Sequence, residues 1–166
     1  MKNEEMAELE AAARAFAIER HGAQRYGDAP YHVHLAAVRA VLADFGLGGA
    51  LGVAAWLHDV LEDTPTSRGE LEARFGAEAC ALAWAVTGEG EGRGERARSM
   101  YEKIRACPAA APLKVADRIA NVEASRARPD KLALYRAERE GFRRALGDLV
   151  APALWARLDA AYDAGG

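Results

Sequence analysis

Strand patterning is missing from this chain. β-Branched residues are sparse, and no segment alternates apolar and polar residues with period two, so a sheet-based fold is not expected. Cysteine is scarce as well. Cys80 and Cys107 show neither C-x-x-C spacing nor a zinc pattern, and Cys80, inside an Ala/Leu run, reads as a buried thiol and not as half of a disulfide. No long basic stripe occurs: 22 Lys and Arg against 25 Asp and Glu give a net charge of −3, which disfavours nucleic acid as the main partner but leaves room for a local anion pocket. Long apolar runs are absent too. The uncharged stretch from Gly46 to Leu57 is too short and too Gly-rich to span a bilayer, and the acidic N-terminus MKNEEMAELE lacks the apolar centre of a signal peptide. A membrane partner is not expected, and a cytoplasmic location is.

What remains is a globular helical composition. The 166 residues are 51% hydrophobic and 28% charged, enough for a real core in one domain over 1–166, and Ala, Leu, Glu and Arg dominate. Apolar residues recur at helical spacing in Met6–Ala17, ending near His21-Gly22, and in Leu35–Phe45, closed by Gly46. The third run, from Leu51 to Leu57, is expected to continue until Thr64-Pro65. Leu71 and Phe75, Ala79 to Val86, Leu113 to Ala120, Leu132 to Leu146 and Leu154 to Tyr162 mark further helices, the last fading into Gly165-Gly166. Loops are expected at 22–30, 64–69 and 88–94, where GEGEGRG has four glycines in seven residues and reads as the most flexible, either a lid or a mobile connection. The expected fold class is all-α, a single compact multi-helix bundle. Trp56 and Trp84 are expected in the core.

Residues 54–65, AAWLHDVLEDTP, place four ionisable groups at the end of an apolar helix. Adjacent helical side chains diverge by about 100°, so His58 and Asp59 converge on one point only near a helix end or groove. Imidazole and carboxylate together suit Mn, Fe or Zn. By i+3 and i+4 spacing, Glu62 and Asp63 are expected on the same side. Clustered buried carboxylates need a cation or raised pKa values, and a cation is the simpler answer. His34 and Asp117 are candidate further ligands; Asp117 lies among Leu113, Ala116 and Ala120, where an unpaired charge is costly. Asn121, at i+4 from Asp117, would face the same site. Taken singly, His34 also fits a helix-start or surface histidine, Asp117 an ion pair with Lys114 or Arg118, Glu62-Asp63 the polar end of a helix, and His21 a helix C-terminus. His32 reads as solvent-facing, and Arg93, Arg96 and Arg98 as a solvated run beside the glycine loop.

The H…HD…D pattern resembles the HD metal-dependent phosphohydrolase superfamily. HGAQRYGDAPYHVH (21–34), AAWLHDVLEDT (54–64), ELEARFG (70–76), VT (86–87) and LKVADRIAN (113–121) are similar to the (p)ppGpp hydrolase domain of the RelA/SpoT family and its small stand-alone relatives, over about residues 10 to 125 and in the family's order. The resemblance implies an HD-domain bundle and a divalent metal, usually Mn²⁺, held by His34, His58, Asp59 and Asp117. It implies that Glu62 and Asp63 position or activate the attacking water, and that Arg25, Tyr31 and Asn121 bind a small phosphorylated nucleotide. The implied reaction cleaves guanosine 3′,5′-bis(pyrophosphate) to GDP and pyrophosphate. Small helical hydrolases often form homodimers, and Trp155 is a candidate interface residue.

The pattern also departs from the long Rel enzymes, whose synthetase and regulatory domains have no expected counterpart here. Their Arg-Lys pair becomes Arg25-Tyr26, the loop after Gln24 is one residue shorter, and the usual His-Pro is His34-Leu35. Loss of one cation keeps open a different nucleotide substrate, such as NADPH at its 2′-phosphate. A non-catalytic helical module with a relic metal site is the remaining alternative.

Overall fold

The computed structural model describes residues 2–164. Its helices are α1 (Lys2–His21), α2 (His32–Asp44), α3 (Ala50–Leu57), α4 (Val60–Asp63), α5 (Arg68–Phe75), α6 (Ala77–Ala85), α7 (Arg93–Ala106), α8 (Ala111–Ala124), α9 (Pro129–Leu146) and α10 (Pro152–Asp163), with short 3₁₀ turns at Pro108–Ala110, Ser125–Ala127 and Gly147–Leu149. The expected all-α bundle is what forms. The expected Gly165-Gly166 terminus lies outside the described residues.

Three details of the expected layout are corrected. The 22–30 loop contains a minimal antiparallel ribbon, β1 (Arg25–Tyr26) on β2 (Ala29–Pro30), too short to show any alternation in sequence. Helix α7 was not expected; it buries only Met100 and Ile104, so its charged surface hides a narrow apolar stripe. The expected 64–69 loop also ends early, because Ser67 caps α5 by accepting a hydrogen bond from the Glu70 N–H.

Helices α2 and α3 stand between two apolar clusters and feed both. Leu35 and Val53, Trp56 and Leu57 face α1, α5 and α6, while Val38, Val41, Leu42, Ala54 and Ala55 face α7 to α10. Helix α8 is buried along most of its length, from Leu113 through Val122. An ion pair fastens the first three helices: Glu10 on α1 takes the Arg39 guanidinium of α2, and the Trp56 indole of α3 lies 3.4 Å from the same carboxylate. Gly52 permits this approach, since a Cβ there would stand 2.7 Å from Glu10 Oε2. Arg20 fixes α1 to α5 through a bidentate contact with Glu70 at 2.6 and 3.2 Å.

Two tryptophans fall elsewhere than expected. Trp155 is buried, with its ring 5.8 Å from Phe142 and the Arg143 guanidinium over it, so it packs α10 on α9 and offers no interface surface. Trp84 is only half-buried, held between Arg68 and Lys103 as a cation–π partner to both. Trp56 is in the core as expected.

Leu35 is fully buried beside His34, so Leu35→Ala is expected to cost about 2–5 kcal/mol. A denaturation series should show a lower midpoint with unchanged slope.

Candidate metal centre and its cleft

The HD pair sits where a helix stops. Helix α3 ends at Leu57 and α4 starts at Val60, which corrects the expectation of one continuous helix to Thr64. The break lets two adjacent side chains converge, which an unbroken helix would prevent. His58 helps to end α3, because its Nδ1–H donates to the Ala55 carbonyl at 2.8 Å. That bond leaves Nε2 as the ring's free nitrogen.

His34 from the first turn of α2 and Asp117 from the middle of α8 meet the pair. His34 Nε2 lies 3.0 Å from Asp117 Oδ1 and 3.6 Å from Asp59 Oδ2, and His58 Nε2 lies 3.0 Å from Asp59 Oδ2 and 3.5 Å from Asp117 Oδ1. Donor atoms of His34, His58 and Asp59 all fall within 4.8 Å of one another, a spacing that can hold a metal ion. His58 Nε2 is buried and makes no hydrogen bond, despite two carboxylates close by. Two buried carboxylates this close to two imidazoles call for shared positive charge, and a divalent cation between the four groups would supply it. The donor set of imidazole and carboxylate fits such an ion.

Without a cation, the protein balances these charges with protons. Burial would push the His58 imidazole down, but Asp59 and Asp117 outweigh it and hold it well above its ordinary value. Burial would raise both aspartates; His58 lowers Asp59, and Lys114 together with the two imidazoles lowers Asp117 further. Lys114 donates to Asp117 Oδ2 at 2.8 Å, and Asn121 donates to its Oδ1 at 2.9 Å. The expected alternative partner, Arg118, turns instead to Glu138.

The 22–31 segment closes one side. Tyr31 donates its phenol proton to Asp59 Oδ2 at 2.7 Å, and burial, with Asp59 next to it, holds that phenol protonated far above its usual range. Tyr26 stacks on His34 at 4.6 Å and donates to Asn121 Oδ1 at 2.7 Å. Sequence reasoning treated Tyr26 only as a lost cation; its aromatic face is part of the site's wall, and nothing in its sequence neighbours signals that. Arg25 is exposed and donates to the Asp28 carbonyl of its own turn, so the structure does not bring it to the quartet. Arg128, unremarked in the sequence, approaches this ribbon at Gly27 and adds a cation near Tyr26.

Glu62 and Asp63 are exposed on the single turn of α4 but do not act as one face. Glu62 accepts a hydrogen bond from the Gly88 N–H, while Asp63 accepts one from Gln24 at 3.0 Å. The Asp63 N–H still reaches the Asp59 carbonyl at 3.0 Å, so both acids stay one turn from the pair despite the break between Leu57 and Val60. Partial desolvation of its carboxyl against the loop raises Glu62, with Gly88 opposing and Asp59 adding to the rise. Both residues border a cleft of about 1010 Å³ that is also lined by Lys114, Arg118, Arg93 and Arg96. The 88–94 loop is tied down rather than slack: Glu89 N–H reaches Ser99, Glu91 N–H reaches Glu95, and Gly88 packs so tightly that a Cβ would meet Arg96 Cβ at 2.8 Å. Arg93, expected in a solvated run, pairs with Glu138 across this cleft.

A helical bundle that gathers a His and a His-Asp pair at one point matches the H…HD…D pattern, and the comparisons agree. The HD domain family model matches residues 10–143, and the chain belongs to that family. The chain is 38% identical over 118 residues to the guanosine-3′,5′-bis(diphosphate) 3′-pyrophosphohydrolase of Aquifex aeolicus, covering 67% of this chain and 17% of that protein. It is 37% identical over 114 residues to the guanosine-3′,5′-bis(diphosphate) 3′-pyrophosphohydrolase MESH1 of Danio rerio, covering 64% of this chain and 63% of that one. The chain therefore spans about a sixth of the first relative's length and somewhat under two thirds of the second's. A solved structure of a metazoan ortholog of SpoT that hydrolyzes ppGpp superposes with a TM-score of 0.74 at 24% identity, covering 95% of this chain and 96% of the other, which is a likeness of fold.

A metal ion that binds only the folded form stabilises it by about 2.7 kcal/mol at a hundred times its Kd. Thermal melts should therefore rise on adding a divalent metal for the wild type and stay flat for His58→Ala.

Proposed function

We propose that the chain is a metal-dependent phosphohydrolase that cleaves guanosine 3′,5′-bis(pyrophosphate) to GDP and pyrophosphate. The observation that carries the metal-dependent part is the buried His58 Nε2, set 3.0 and 3.5 Å from two carboxylates and one turn from two exposed acids. The substrate is supported by the relatives whose names specify that bond. His34, His58, Asp59 and Asp117 would hold the ion, with Mn²⁺ the proposed metal. When bound, such an ion lowers the pKa of a coordinated water and polarises a phosphoryl oxygen.

The chain's own residues supply the rest. Glu62, whose carboxyl pKa is raised by partial desolvation, accepts a proton from the attacking water, and Asp63 orients that water. Tyr31 holds Asp59 in place by its hydrogen bond. Asn121 contacts the nucleotide with the amide hydrogen that Asp117 leaves free, and Tyr31 and Tyr26 line the pocket for it. Lys114 and Arg118, both facing the cleft, offset phosphate charge. The enzyme works in the cytoplasm, a reducing compartment compatible with the free thiols of Cys80 and Cys107.

A second reading keeps the hydrolysis and changes the substrate to another phosphorylated nucleotide, such as NADPH at its 2′-phosphate. It is favoured by Tyr26, which faces the site with a hydroxyl, and by Arg25, which is committed to Asp28. A nucleotide panel separates the two. With Mn²⁺, ppGpp should release GDP and pyrophosphate, and Asp59→Ala should abolish turnover; no turnover with Mn²⁺, Co²⁺ or Mg²⁺ would reject this substrate.

At saturating metal, kcat should fall on the acid side as Glu62 protonates, at a pH above the ordinary glutamate value of about 4.3. Glu62→Gln should remove that limb and lower kcat by roughly 10²–10⁴. A pH profile of both proteins checks the pair of outcomes.

A further inference from the structure

The HGAQRYGDAPYHVH segment contains two side chains that the proposed reaction does not use, His21 and Gln24. His21 ends α1 and is buried; its Nδ1 lies 2.8 Å from Gln24 Oε1. Gln24 Nε2 in turn lies 3.0 Å from Asp63 Oδ2. No other hydrogen bond holds the Asp63 carboxylate among the described residues.

The chemistry of these groups orders them. An ionised carboxylate only accepts, so the Gln24 end that faces Asp63 must be its NH₂. Its carbonyl then faces His21, so Nδ1 must carry a hydrogen. The ring cannot easily turn, because it lies 4.5 Å from the Tyr31 ring. Gln24 is fixed on the backbone as well, its N–H donating to the His21 carbonyl at 3.0 Å and its own carbonyl accepting from Tyr31 N–H at 3.1 Å. One short segment thus delivers the Tyr31 phenol to Asp59 and the Gln24 amide to Asp63.

We propose that His21 and Gln24 are positioning residues, a two-link relay in which the His21 Nδ1–H sets the Gln24 amide so that it aims the exposed Asp63 carboxylate at the water. The inference rests on the reading of Asp63 given above. Without the histidine donor the amide is free to invert and would then present its oxygen to a carboxylate, which repels it. Asp63 would keep its place in sequence and lose its direction.

Five variants test this with ppGpp and Mn²⁺. Gln24→Met keeps length and removes the donor; His21→Phe keeps the ring against Tyr31 and removes Nδ1–H. Both should lower kcat by roughly 10–100-fold, with KM, bound metal and melting temperature near wild type. His21→Asn, whose side-chain NH₂ falls near the position of Nδ1–H, should recover most of the loss. In an Asp63→Asn background, Gln24→Met should cost nothing more. Equal impairment of His21→Phe and His21→Asn, or full kcat in Gln24→Met while Asp63→Asn is impaired, overturns the relay alone. Full kcat in Asp63→Asn overturns both the relay and the role of Asp63. Nitrogen-15 NMR of the histidine rings needs no turnover: at pH 8, His21 should be the Nδ1–H tautomer, and the Nε2–H tautomer would reject the relay.

Discussion

Two aspartates and two histidines share a pocket that is largely closed to water, and the electrostatics of that quartet governs the parts around it. Burying carboxylates costs several kcal/mol each unless the charge is met at close range. In this protein it is met from three directions: the imidazoles of His34 and His58, the ammonium of Lys114, and the Tyr31 phenol with the Asn121 amide. These groups come from α2 and the turn before it, the turn after α3, and α8. The charge can be assembled only if α2, α3 and α8 are held at fixed distances.

The fold supplies this rigidity by putting α2 and α3 between two apolar clusters and burying α8 nearly throughout. Close-packed interiors hold positions well, and the Glu10–Arg39 pair across Gly52 fastens the same helices from outside. Rigid helices alone would still separate His58 from Asp59. The break after Leu57 brings them together. The same break frees Glu62 and Asp63 to face the cleft on separate tethers, one to Gly88 and one to Gln24.

Most of this was legible where short-range chemistry decides. Apolar spacing revealed the helices that carry broad buried faces, and the excess of acids after AAWL pointed to a cation, but the break at His58 inside the helix expected to reach Thr64 left no mark in the spacing. Helix α7 was missed because Met100 and Ile104 are too few to mark a face among charges. Tyr26 and Trp155 were misjudged for a related reason: Tyr26 is fixed by Asn121, 95 positions on, and Trp155 by the packing of α10 on α9, neither of which shows in their sequence neighbours. The GEGEGRG loop was read as slack from its glycines, whereas at Gly88 the missing side chain permits close packing on α7.

The central claim is that His34 and His58 ligate one divalent ion together with Asp59 and Asp117. Pulsed EPR of the protein carrying one equivalent of Mn²⁺ reads this directly from the nitrogen couplings of bound imidazole. Two histidine nitrogens are expected in the wild type and one in His34→Ala. A spectrum without histidine nitrogen, or one unchanged by the substitution, would contradict the account.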